Sequence, residues 1–343
     1  MGNRMGTVGD STSPLRTEAI SWLLEGDDPS VRFLTLTELA GSSPDSPEAG
    51  AARREIMTSG AVPRILAAQD DDGHWEGRDR FYTAKYRGTV WTLLILAELG
   101  ADGGDERVRR GCEALLRDAQ ERLSGGFAMH ACREGGGRRS EVIPCLTGNV
   151  VWSLIRLGML DDPRVQAGID WIATWQRSDD AEGEAPTGGP YDRYEMCWGR
   201  HTCHMGVVKA LKALAEIPEE RRSPAVRRTI DDGAEFMLKH HVFKRSHNLA
   251  KTSKPGWKRF SFPLMYQTDV LEILGILAKL GRAGDERARE ARALVASKAD
   301  AQGRWKLEQT FNGRFVVDIE TKGEPSRWVT LKALQMLQAT ADD

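Results

Sequence analysis

The chain of 343 residues has no run of apolar residues near the roughly 18–20 needed to cross a bilayer, which argues against a membrane-spanning helix. It lacks an excess of either charge. Its 48 Lys and Arg stand against 50 Asp and Glu, a net charge of −2. That balance excludes the globally basic surface of a nucleic-acid coat and the acidic block of a solvating tail. No apolar segment follows the opening residues, so the sequence predicts no secretory signal, a disordered stretch over 1–14 and a cytoplasmic protein. Cysteine is sparse and odd in number, five in all, so the thiols read as reduced rather than as a disulfide framework. Tyrosine is scarce as well, five against ten tryptophans.

What is present is a repeat. Apolar stretches with helical spacing recur at 31–41, 86–100, 145–158, 203–218, 266–281 and 326–337, and from residue 86 onward their starts lie 59, 58, 63 and 60 residues apart. A helix apolar around most of its circumference is buried. Charged, amphipathic helices are predicted between them, at 15–25, 47–68, 105–121, 163–177, 224–240 and 284–299. Ser13-Pro14, Ser46-Pro47, Asp162-Pro163 and Ser223-Pro224 read as helix caps followed by a first-turn proline. Glycine turns carrying an aromatic follow the charged helices, as in Gly73-His74-Trp75, Gly125-Gly126-Phe127 and Gly303-Arg304-Trp305. A unit that cannot bury its own face must stack on its neighbours. About six helical hairpins, apolar helices inside, predict an all-α fold, an α/α toroid closed around a central cavity and forming a single domain over 15–343. An open superhelix is the alternative.

The turns Gln69…Gly73-His74-Trp75 and Gln302-Gly303-Arg304-Trp305 resemble the repeat turns of squalene and hopene cyclases, and Gly125-Gly126-Phe127 resembles that of protein prenyltransferase β subunits. The resemblance runs from about residue 15 to 340 and implies a cavity for isoprenoid or other apolar substrates, with chemistry at the ends of the inner helices. The chain departs from these families in their reactive motifs. It has no Asp-x-Asp-Asp, no Asp-Asp-x-x-Asp on a helix and no Asp-x-Cys. Asp70-Asp71-Asp72 reads as a solvated turn.

Four cysteines fall between 132 and 203. Cys132, Cys145, Cys197 and Cys203, with His204 or His130 beside them, are candidate metal ligands at the starts of adjacent inner helices. Sulfur-rich sets suit zinc, with an iron–sulfur cluster as the other reading. A reactive thiol and plain packing are the alternatives, and Cys112 reads as packing. His201, between two proposed ligands, is the acid/base candidate, with Asp192 and Tyr266 as further catalytic candidates. Tyr86, Arg87, Arg200, Asp269, Arg327 and Trp328 form an expected polar and aromatic collar that would bind substrate, the arginines gripping an anionic head. Residues 239–260, with seven Lys/Arg and three His, read as a solvated loop, a lid or a surface for an anion; the overall charge argues against nucleic acid.

Together these features predict a prenyltransferase- or terpene-cyclase-like enzyme with a zinc site, acting on a small apolar or amphiphilic substrate. The other readings are a metal-dependent hydrolase or lyase, and a non-catalytic binding toroid held by a structural zinc.

Overall fold

The computed structural model describes residues 14–340 except 183, 185 and 200, and of Asp192, Glu195 and Met196 it describes the backbone alone. The stretch expected to be disordered, 1–14, lies outside the described residues up to Pro14, which opens the first helix.

The chain is a succession of helix pairs. Helix α1 (Pro14–Leu24) precedes α2 (Pro29–Leu34), which a π-helical turn, Thr35–Leu39, extends. Next come α3 (Pro47–Ile56) and α4 (Ala61–Leu66), then α5 (Thr89–Glu98). Helices α6 (Glu106–Ala119) and α7 (Pro144–Arg156) form the third pair. Helix α8 (Pro163–Trp175) is joined through the one-turn α9 (Glu195–Trp198) to α10 (His204–Leu214). Helices α11 (Pro224–Lys239) and α12 (Val270–Lys279), then α13 (Arg289–Ala296) and α14 (Arg327–Ala339), complete the series. Among the described residues the fold is all-α apart from two small antiparallel pairs, β1 (Lys244–Arg245) with β2 (Asn248–Thr252) and β3 (Trp305–Lys306) with β4 (Pro325–Ser326).

The inner member of each pair is the apolar one. All ten residues of α5 are buried, and eleven of the thirteen in α7. The outer helices bury one face only: α6 keeps Val108, Cys112, Leu115 and Leu116 inside. Of the four predicted caps, Ser13 lies outside the described residues and the other three fall where expected. Ser46 accepts from the amide of Ala49, Asp162 from Arg164 and Ser223 from Val226, each ahead of a first-turn proline. The single helix expected over 47–68 is instead two, because the chain turns at Thr58-Ser59-Gly60.

The glycine–aromatic turns bind each pair to the next. In the turn before α5, the Trp75 amide donates to Thr89 Oγ1 at 3.1 Å and the Trp75 indole to the Ile65 carbonyl at 2.9 Å. The Trp305 amide and indole repeat this with Thr330 at 2.9 Å and Val295 at 2.7 Å, and the Phe127 amide bonds Thr147 at 3.0 Å. Gln69 and Gln120 reach forward to the next outer helix, donating to the carbonyls of Arg107 and Arg164.

Gly73, at φ +91°, sits so close to α6 that a Cβ there would lie 2.5 Å from the Arg110 carbonyl oxygen. Gly303, at φ +72°, stands in the same relation to α1, 2.9 Å from the Leu15 carbonyl. The last turn therefore packs on the first helix as the earlier one packs on its successor. Trp328 Nε1 adds a bond to Asp28 at 2.9 Å, and Arg16 bonds Gln338.

Thr330→Val removes the acceptor of a buried amide. It is expected to cost about 1–3 kcal/mol, measured by denaturant unfolding, with the far-ultraviolet spectrum retained.

Candidate functional site: a charged axial cavity

One cavity of about 640 Å³ takes lining residues from all six inner helices: Leu34 of α2, Glu98 of α5, Trp152 of α7, Lys212 of α10, Gly275 of α12 and Leu331 of α14. Apolar faces were expected on the axis, and Leu271, Ile276, Leu331 and Met336 supply part of the wall. The middle is ionic. Lys212 Nζ lies 2.6 Å from Glu98 and 3.2 Å from Glu272. Lys209 Nζ, fully buried, lies 2.7 Å from Glu272, and Lys332 Nζ 2.8 Å from Glu98.

Burial by itself raises the Glu98 carboxyl, but the ammonium groups of Lys212 and Lys332 outweigh it and hold Glu98 well below the usual carboxylate range. Glu272 is lowered in the same way, the pull of Lys209 and Lys212 overcoming burial. At the mouth, Glu216 is shared by Lys279 at 2.6 Å, Arg156 at 3.8 Å and the Trp152 indole at 3.1 Å.

The inner end of the cavity carries a different kind of carboxyl. Asp269 is 2% exposed and caps α12, accepting from the Glu272 amide at 2.9 Å through one oxygen and from the Ser261 amide at 3.0 Å through the other. Burial pushes its pKa up to about 7, with the amide bonds pulling the other way and Glu272 adding to the rise. Phe262 and Trp328, which also line the cavity, stack on each other at 4.3 Å with planes 5° apart.

The other collar residues separate. Tyr86 and Tyr266 belong to an aromatic cluster at the start of the inner helices: their rings are 6.5 Å apart, Phe311 is 4.3 Å from Tyr86, and Lys85 Nζ sits 4.8 Å over Tyr266 and 4.6 Å over Tyr82. Arg87 is committed to Glu76 at 2.8 Å and to the Phe315 carbonyl. Arg327 does not face the cavity, contrary to expectation. Its guanidinium lies 4.2 Å over the Trp22 ring and bonds the Trp22 carbonyl, so it fastens α14 to α1. Among the described residues lining the cavity there is neither Arg87 nor Arg327. Arg200 and the Asp192 side chain lie outside the described residues, and His201 is exposed.

The candidate metal ligands do not form one donor set. Cys145, Cys197 and Cys203 are neighbours close enough to interact electrostatically. Burial, reinforced by the adjoining thiols, pushes Cys145 up to about 12 and Cys197 up to about 11, so both remain protonated thiols at neutral pH. Cys132 stands apart beside Arg78, in a surface cavity with Trp171, Trp175 and Arg138. His130 bonds Glu141 at 2.6 Å. The His204 ring packs on His240 at 4.1 Å and Phe236 at 4.8 Å, and burial lowers its pKa to about 3, His240 adding to the fall. Among the described residues no three His, Cys, Asp or Glu side chains converge to hold a metal ion. The metal content of purified, untagged protein tests the zinc or iron expectation directly. One metal per chain, lost in Cys203→Ser but kept in Cys112→Ser, would assign Cys145, Cys197 and Cys203 to it, and a metal-free protein would leave them as free thiols.

The axial carboxylates and amines were not singled out from sequence, although a signal exists. Glu98, Lys209, Lys212 and Glu272 are among the few charges within otherwise apolar helices, and Lys209 and Lys212 are three apart, on one helical face.

No protein-family model and no curated protein matches the chain. Among solved structures, a protein from Actinoplanes aligns over 85% of this chain and 99% of its own, at 14% identity and a TM-score of 0.29. A ligand-free variant of the type II terpene cyclase MstE from Scytonema aligns over 84% and 97%, also at 14% identity and a TM-score of 0.29. Another MstE variant, in complex with geranylgeranyl dihydroxybenzoate as substrate, gives the same figures. Likeness at this level defines no residue correspondence, and no role passes from those proteins to this chain. No helix among the described residues is long and apolar enough to cross a membrane.

Proposed function

We propose that the chain is one domain over residues 15–343, closed as an α/α toroid, and that it is a terpene-cyclase-like enzyme whose axial cavity takes an apolar or amphiphilic isoprenoid and protonates it from Asp269. Closure is supported by the Gly303 turn seated on α1 and by one cavity drawing its wall from all six inner helices. The observation that carries the reaction is Asp269, a buried carboxyl poised near neutrality at the inner end of that cavity.

A carboxylic acid that keeps its proton near pH 7 can deliver it to an alkene carbon. The C–H bond forms as the π bond breaks, leaving a carbocation. Phe262 and Trp328, which line the same cavity as Asp269, supply aromatic rings near which that charge can be stabilised. A second double bond of the same substrate then attacks, closing a ring, and loss of a proton gives an isomer of the starting material. Lys209, Lys212 and Lys332 share the two carboxylates of Glu98 and Glu272, which offsets two of the three ammonium charges that would oppose a cation, and the carboxylate left on Asp269 after proton transfer offsets the third. At the mouth, Lys279 and Arg156 flank the carboxylate of Glu216, and their free N–H groups can donate to an anionic head group.

The test is incubation with geranylgeranylated aromatic acids and with polyprenyl hydrocarbons in deuterium oxide. A cyclic isomer carrying one deuterium is expected. Tight binding of these compounds with no turnover would sink the enzyme reading and leave a binding toroid.

A further inference from the structure

Residues 239–260 contribute nothing to the cavity or to its proposed chemistry. They hold seven Lys and Arg, three His and no Asp or Glu. The segment folds as the β1–β2 hairpin followed by a 3-10 turn, Pro255–Lys258. The hairpin stands off the body of the protein: each residue from His247 to Lys251 is exposed. Two of the cations are paired, Lys239 with Asp180 and Glu182, and Lys244 with Glu290. Arg245, Lys251, Lys254 and Arg259 are exposed and form no ion pair among the described residues. On a chain of net charge −2, this is a concentrated positive patch.

An apolar side chain sits in the middle of it. Leu249 is 41% exposed, one of three large apolar side chains so exposed among the described residues. The two-residue period of a strand places it on the same face of β2 as Lys251. The aromatic residues of the segment point inward, Phe243, Trp257 and Phe260 being 1%, 4% and 1% exposed. A surface for single-stranded nucleic acid would need those rings outside, as stacking platforms. Cations around one exposed apolar side chain suit instead a layer of phosphate head groups over hydrocarbon.

We propose that the β1–β2 hairpin docks the protein on an anionic phospholipid surface, with the unpaired cations against lipid phosphates and Leu249 entering the head-group layer. The inference goes beyond the cavity chemistry and does not depend on it. It does place a lipid surface one short step along the chain from the cavity wall, since Arg259 is followed by Ser261, Phe262 and Leu264, all of which line it.

The experiment is co-sedimentation of the full chain with phosphatidylcholine vesicles containing about one-third phosphatidylserine, against pure phosphatidylcholine. Binding to the anionic vesicles alone is expected, weakening as salt shortens the Debye length. Each cation near such a surface is worth about fivefold in affinity, so Arg245→Ala with Lys251→Ala and Lys254→Ala should lose about a hundredfold. Leu249→Ser should weaken binding while leaving its salt dependence unchanged. All four positions are exposed, so unchanged melting would confirm that the variants are folded. Equal binding to neutral vesicles, indifference to the triple substitution, or a preference for single-stranded RNA over the vesicles would overturn the proposal.

Discussion

Replacing Asp269 with Asn is expected to lower turnover by about 10²–10⁴-fold, the usual contribution of a positioned general acid, while substrate still binds. The amide has nearly the shape of the carboxyl but no acidic proton, and its nitrogen cannot accept, so one of the two bonds from the Glu272 and Ser261 amides is lost as well. In the wild type the active species is the protonated acid. The rate should therefore be flat below about pH 7 and fall tenfold per unit above it, following a carboxyl that burial raises to about 7.

The same shift has a consequence for stability. The folded-state value lies above the ordinary carboxylate value of 3.8, so the folded protein holds a proton that the unfolded chain releases. This contribution is full below about pH 4 and is lost as pH rises through about 7. Thermal unfolding followed between pH 4 and 8 should show a decline in the wild type that Asp269→Asn lacks. A rate that rises with pH across 7, or an Asn variant as active as the wild type, would remove Asp269 from the chemistry. The melting comparison would still report on its cap of α12.

Glu98→Ala is expected to be strongly destabilising, at about 2–3 kcal/mol in urea unfolding, below the full cost of stranding a buried charge because Lys212 keeps Glu272 and Lys332 reaches solvent. Glu98 is the only carboxylate within 4 Å of Lys332 among the described residues, and it is the nearer of the two on Lys212. Its removal leaves the buried Lys212 with Glu272 alone and takes from Lys332, whose side chain is 34% exposed, the carboxylate it meets. The energetics are asymmetric. Removing one partner strands the others, whereas replacing a whole buried ionic group with apolar side chains of similar volume is often neutral or favourable. Glu98→Met combined with Lys212→Met and Lys332→Met should accordingly recover much of the loss. If Glu98→Ala shifts the unfolding midpoint no more than an exposed substitution does, the axis is hydrated and its ion pairs contribute little.

The parts of the fold that were legible in the sequence are those decided within a few residues. Cap geometry at Ser46, Asp162 and Ser223 depends on one side chain and the amide two or three positions on, so the predicted starts agree with the structure. The glycine–aromatic turns were visible for the same reason. Arg327 was misplaced because a helix-start arginine can swing either to the axis or outward. The Trp22 ring and carbonyl of α1, some three hundred residues earlier in the chain, decide which. His204 and Cys132 were grouped with the other thiols by spacing along the chain. Packing on His240 and Phe236 turned the His204 ring elsewhere, and the loop before α7 carries Cys132 to a different surface.

By itself the sequence determined an all-α chain of repeated helix pairs, with the apolar member of each pair buried. Periodicity, caps and turn glycines are local properties, and the hydrophobic effect acts on them without reference to partners. Only the tertiary structure decided what fills the middle. Glu98 meets Lys212 across 114 residues and Lys332 across 234, and Asp269 acquires its raised pKa from burial among elements that no local pattern brings together. Charge pairing and desolvation depend on distance and on exclusion of water, and both exist only once the inner helices surround the axis.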